Sequence, residues 1–174
     1  MKETKKVTLS AMLVALGAAL MALGGVVEVF DLSVCALASL LVAFVYIEIG
    51  SPYTWLVWIC TSLVSFIIFP SSLLWLEYLL IFGIYPIIKG YIERLKRGYW
   101  LILKLAFGAV MTVVLVLCAE LVTGMPFFET DLQWLTAVLC ALVVVAFILY
   151  DFFLTVLIRF YMTKLRKRFQ SFLK

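Results

Sequence analysis

Apolar residues run in blocks of about twenty along the whole chain, separated by short polar or turn-forming stretches. Wound as helix at about 1.5 Å per residue, such a block crosses a bilayer core of roughly 30 Å. Six blocks are predicted to do so, over residues 6–27, 32–49, 52–69, 72–92, 99–122 and 133–161. Gly50-Ser51-Pro52 and Pro70-Ser71-Ser72 mark two of the turns, with proline where a helix can start or stop. No tandem repeat or low-complexity linker interrupts the series. The expected architecture is an all-α integral membrane protein, a single six-helix transmembrane domain over residues 1–174.

Composition agrees with this pattern. The 174 residues are 67% hydrophobic and 14% charged, and the mean hydropathy is +1.21. A soluble domain of this size cannot cover so much apolar surface. Residues 1–6 are basic and precede an apolar run, as in a signal peptide. The run is longer than a signal core and no polar mature domain follows, so it reads as the first permanent span.

Charge adds an orientation. Lys2, Lys5 and Lys6 precede the first block, and Lys89, Arg94, Lys96, Arg97 and Lys104 bracket the fourth connection. Arg159, Lys164, Arg166, Lys167, Arg168 and Lys174 close the last one. With six spans these positions share one side, and together they are all 14 basic residues. Glu28, Asp31, Glu129 and Asp131 lie on the other. Basic residues mark the cytoplasmic face, so both termini are expected inside, in a bacterial cytoplasmic membrane. The C-terminal stretch "RFYMTKLRKRFQSFLK" is expected to lie on anionic lipid as an amphipathic helix end rather than to bind nucleic acid.

Candidate chemistry is sparse. Histidine is absent, which removes the commonest general base and transition-metal ligand. Cys35, Cys60, Cys118 and Cys140 sit in four different blocks with no CxxC pairing, and read as small hydrophobes. Neither a clustered acidic metal site nor a Gly-rich phosphate loop occurs. No catalytic residues, metal or cofactor are expected, and an enzyme is not.

Carboxylates within the blocks each need an account. Glu77, in "SSLLWLEYLL", falls roughly 8 Å below the outer end of the fourth block. Glu120, in "VLCAELVTG", lies just inside the outer end of the fifth. Either both snorkel or are protonated, or they line an outward-facing pocket for a cationic or hydrogen-bonding solute. Trp75, Tyr78 and Trp134 lie at similar depth, as walls of that pocket or as an interfacial belt. Trp55 and Trp58, nearer the cytoplasmic end, read as belt residues. Asp151 and Lys104 have matching depths and are expected to pair; Glu48 is expected to meet Lys5 or Lys6. Pro86 in "FGIYPIIKGYIER" predicts a kink, with Gly83 and Gly90 allowing close approach on either side; the kink either widens a cavity above it or serves packing alone.

The first block, "TLSAMLVALGAALMALGG", carries Thr8, Ala11, Ala15, Ala18, Ala22 and Gly25 at steps of three and four. Such small-residue stripes let helices approach closely in lipid. The partner is either the Cys35–Ser39–Ala43 stripe of the second block or another protein. In this first helix, the basic N-terminus and the six-span layout, the chain resembles the substrate-binding S components of energy-coupling factor (ECF) transporters. "IEIGSPYTWLVW" and "FGIYPIIKGYIER" are also similar to small bacterial membrane proteins of this general type.

In that family an Ala-x-x-x-Ala pattern on the first helix packs on the shared transmembrane coupling subunit. Ala11-x-x-x-Ala15 matches it, and Ala15-x-x-x-Ala19 repeats it. The resemblance implies a partner module of that subunit plus two ATPases. It also implies an outward-facing pocket that captures a small solute, vitamin-like or another micronutrient. None of the motifs associated with riboflavin, biotin or thiamine recognition occurs, so the solute stays unnamed. The competing reading is a structural six-helix membrane protein of the rod-shape-determining type, which holds a fixed partner and binds no solute.

Overall fold

The computed structural model describes residues 3–70, 72–95, 97–123 and 133–166. These residues form α1 (Glu3–Val26), α2 (Asp31–Glu48), α3 (Tyr53–Ile68), α4 (Leu74–Glu77), α5 (Tyr85–Ile92), α6 (Trp100–Thr123) and α7 (Gln133–Phe160), with no strand among them. A π-helical turn over Tyr78–Phe82 joins α4 to α5, so the two helices make one interrupted span. The six predicted blocks are therefore six helical spans in one bundle. Five are long and apolar enough to cross a membrane, and α3, with 16 residues, is apolar but shorter.

The helix α2 is the hub. It touches α1, α3, α5 and α7, and its buried residues Val34, Cys35, Ala38, Ser39, Val42, Ala43 and Val45 cover more than one face. One core cluster joins Met21, Cys35, Val42, Val57, Tyr78 and Ile87 across the first four spans. A second joins Ala43, Ile81, Tyr85, Phe147, Tyr150 and Leu154 across the second, fourth and last.

The bundle-facing side of α1 is Ser10, Gly17, Met21 and Gly24, a spacing of seven, four and three that keeps one helical face inward. Its small residues admit neighbours closely: a Cβ on Gly17 would lie 3.1 Å from the Thr61 methyl of α3. The stripe singled out in the sequence splits. Thr8, Ala11 and Ala15 are exposed, Ala18 and Ala22 are half-buried, and Gly25 lies under the Phe69 ring. The Cys35–Ser39–Ala43 stripe, one of the two partners open to it, faces elsewhere. Cys35 Sγ faces the Leu74 carbonyl, Ser39 bonds Tyr150 of α7, and Ala43 packs in the second cluster. That face of α2 serves the fourth and last spans, while the small residues of α1 meet Thr61 of α3 at Gly17 and Val34 of α2 at Gly24.

Contacts between helix ends fix how the spans alternate. Glu3 meets Tyr53, Glu48 meets Arg166, and Lys104 meets Glu93. This gathers the starts of α1, α3 and α6 with the ends of α2, α5 and α7 into one basic end of the bundle.

Candidate functional site

Near the basic end, four charges from three spans share one site. The Lys89 ammonium is 2% exposed and bonds Asp151 Oδ1, the Asp151 carbonyl and Thr155 Oγ1. Lys104 Nζ lies 3.0 Å from Asp151 Oδ2 and 3.2 Å from Glu93 Oε1, and Glu93 is also 3.6 Å from Lys89. The Tyr85 hydroxyl donates to Asp151 Oδ1 at 2.6 Å. Two cations thus balance two anions, which is how ionic groups are held away from water. The expected Lys104–Asp151 pair is present, and Lys89, which the sequence shows only as one of the basic residues bracketing the fourth connection, is a further partner. Glu48 is corrected: it pairs with Arg166 at 3.1 Å and accepts from the Tyr161 hydroxyl, while Lys6 pairs with Glu3. The last helix returns to α2 at this end and brings its own cation.

An aromatic layer adjoins this charge cluster. Tyr85 packs edge-on to Phe147 at 4.9 Å and near Tyr150 at 5.5 Å, and Phe82 meets Tyr150 at 4.8 Å. Its backbone explains the order. In the π turn the Gly83 N–H donates to the Tyr78 carbonyl at 2.7 Å, so it is not given to Leu79, its α-helical partner. The Leu79 carbonyl accepts instead from the Trp58 indole N–H at 3.2 Å. Pro86 has no N–H to give the Phe82 carbonyl four residues back, and the Tyr150 hydroxyl lies 3.2 Å from that oxygen and 2.8 Å from Ser39 Oγ. The Leu79 carbonyl is thus satisfied from another span, and the Phe82 carbonyl shares the Tyr150 proton with Ser39. Trp58 is not a belt residue, because its indole is held against the fourth span. A Cβ on Gly83 would fall 2.5 Å from Trp58 Cδ1, and one on Gly90 2.5 Å from Tyr46 Cε1, so the close approaches expected at both glycines are present.

On the other side of the aromatic layer, between α2, the fourth span, α6 and α7, lies an open groove of about 830 Å³, whose rim residues Leu32, Leu37, Leu142, Leu149 and Phe153 are exposed. Phe82, Phe147 and Tyr150 form part of its wall. Only Ser33, Glu77, Thr112 and Tyr150 bring polar side chains to it among the described residues, and neither lysine nor arginine lines it. The Thr112 hydroxyl donates to the Gly108 carbonyl at 2.8 Å, and that of Tyr150 is engaged as above. Glu77 differs: its Oε2 is buried without a hydrogen-bond partner.

The structure brings one of the predicted solute-binding residues, Glu77, to this groove. Tyr78, next in sequence, is 1% exposed in the first core cluster. Trp75 turns its ring onto Phe66 at 4.8 Å, with its indole N–H on the Pro70 carbonyl. Glu120 is half-buried on α6 and does not line the groove. The Trp134 side chain lies outside the described residues. Cys35 is buried in the first core cluster, as a small hydrophobe would be, and Cys60 is exposed.

Ala11, Ala15 and Ala19 all lie on the exposed side of α1, together with Met12, Leu16 and Leu23. The helix thus carries two faces with small residues, one used inside the bundle and one presented outward. Comparison with known proteins adds nothing to this geometry: no family model, curated protein or solved structure matches the chain.

Proposed function

We propose that this chain is the substrate-capture component of an energy-coupling factor transporter, in a bacterial cytoplasmic membrane with both termini on the cytoplasmic side. The observation that carries the reading is the exposed small face of Ala11, Ala15 and Ala19. A helix that needed small residues only for its own bundle already has them at Gly17 and Gly24. The outer small face is suited to a second helix at close range, here one from the coupling subunit. The groove above the aromatic layer supplies the solute pocket, with Glu77 as its polar anchor. Hydrolysis of ATP by the partner ATPases would drive reorientation, and the chain performs no chemistry of its own.

Replacing Ala15 by Trp tests the docking claim. The expected result is loss of co-purification with the coupling subunit and ATPases, with the melting temperature of the isolated chain unchanged. Undiminished co-purification would overturn it. The scaffold reading expects a stable partner but no solute, and the buried, partnerless oxygen of Glu77 in a groove weighs against it.

A further inference from the structure

We infer that the groove takes an amphiphilic amine, a largely apolar body carrying one ammonium group, with that group seated on Glu77. The inference rests on the solute-pocket reading above and names the class of solute. A groove of about 830 Å³ is within the size range of small-molecule sites, roughly 300–1,000 Å³, which combine an apolar lining with few polar groups. Elimination leaves one anchor. Glu77 is the only charged side chain in the lining among the described residues, and the neutral hydroxyls of Ser33, Thr112 and Tyr150 can accept beside it but cannot balance a charge. Glu77 has a buried oxygen that accepts from nothing. A buried polar atom without a partner is costly, and a guest that donates to it removes that cost.

The sign of the guest follows from the wall. No cationic side chain lines the groove among the described residues, so an anionic guest finds no counter-charge. Asp31 opens α2 directly before the lining residues Leu32 and Ser33, a second carboxylate on the same helix turn as the wall. The guest's body follows from the rest of the lining, with Ala36, Ile81, Phe82, Leu115, Phe147 and Phe153 offering hydrocarbon and ring surface. A polyamine would bury further charges against these residues without partners, and a solute rich in hydroxyls would lose its hydration for nothing. One ammonium on an apolar body satisfies both the anchor and the wall.

The test uses the full chain in lipid nanodiscs and three primary amines, tryptamine, phenethylamine and n-octylamine, each beside the alcohol of the same skeleton. Spermidine serves as the polar control. At least one amine is expected to bind saturably and at least tenfold tighter than its alcohol, with no saturable binding of spermidine. Glu77→Gln should remove the preference for amine over alcohol. Ala146→Trp, which adds bulk at the groove wall and keeps the carboxylate, should weaken binding of both by at least tenfold. No saturable amine binding, an amine no better than its alcohol, tighter binding of spermidine, or a preference that survives Glu77→Gln would each overturn the assignment. The wild-type amine and alcohol comparison stands even if a variant folds poorly. Partner subunits are absent throughout, so lost amine binding with intact co-purification would sink the solute class alone. Lost co-purification with intact amine binding would sink the transporter reading alone.

Discussion

A lysine in the apolar part of a bundle is tolerable only when its ammonium is paired and fully hydrogen-bonded, and Lys89 meets both conditions through Asp151 and Thr155. Removing the shared carboxylate leaves two cations facing one glutamate. Asp151→Asn is therefore expected to cost about 3–5 kcal/mol, the range for breaking a buried ion pair. Thermal unfolding in mild detergent is the readout. Lys104→Met should cost less, because Lys89, Asp151 and Tyr85 keep one another satisfied. Equal losses for the two variants would contradict this ranking. The Lys104–Asp151 pair was legible in the sequence from depth alone. Lys89 was not, because in the sequence it counts only as one of the basic residues bracketing the fourth connection. Its signal was the spacing of Tyr85, Lys89 and Glu93 at steps of four, which puts all three on one face of a helix.

At the scale of the element, the fourth span is where local order departs from a plain helix. Pro86 and its flanking glycines announced an interruption, and the span does break there. The π turn one step earlier, and the need for Trp58 to satisfy it, were not legible. A bond from residue i to i+5 leaves no periodic trace, and a tryptophan near a membrane edge has an ordinary use as a belt residue. Trp58→Phe keeps the ring but leaves the Leu79 carbonyl unpaired, at an expected cost of about 1–3 kcal/mol. Trp55→Phe should cost less, since the bond to the Leu79 carbonyl comes from Trp58. Gly83→Ala should resemble Trp58→Phe, because its methyl would occupy the space of the indole edge. Melting temperatures of the three variants check the order, and an equal loss for Trp55→Phe would overturn it.

At the scale of the whole molecule, hydrophobic blocks made the six spans legible to within a few residues, because backbone groups in lipid must be satisfied within each helix. What covers what was less legible. Small residues on α1 proclaim close packing without saying against which neighbour, and the face turned to α3 lay beside the stripe that the sequence made conspicuous. The segregation of all 14 basic residues predicts that a fluorescent protein fused at the C-terminus glows and that a phosphatase fused there stays inactive. The reverse result would move the groove to the cytoplasmic side and end its reading as an outward-facing pocket.

The central claim is that this bundle captures a solute for an ATP-driven partner through the outer face of α1. Purification of the chain from its native membrane in mild detergent, with identification of every protein that remains bound, tests it most directly. The expected result is a coupling membrane subunit and a pair of ATPases in stoichiometric amounts. A folded, intact chain that emerges without an ATPase, alone or with other partners, would contradict it.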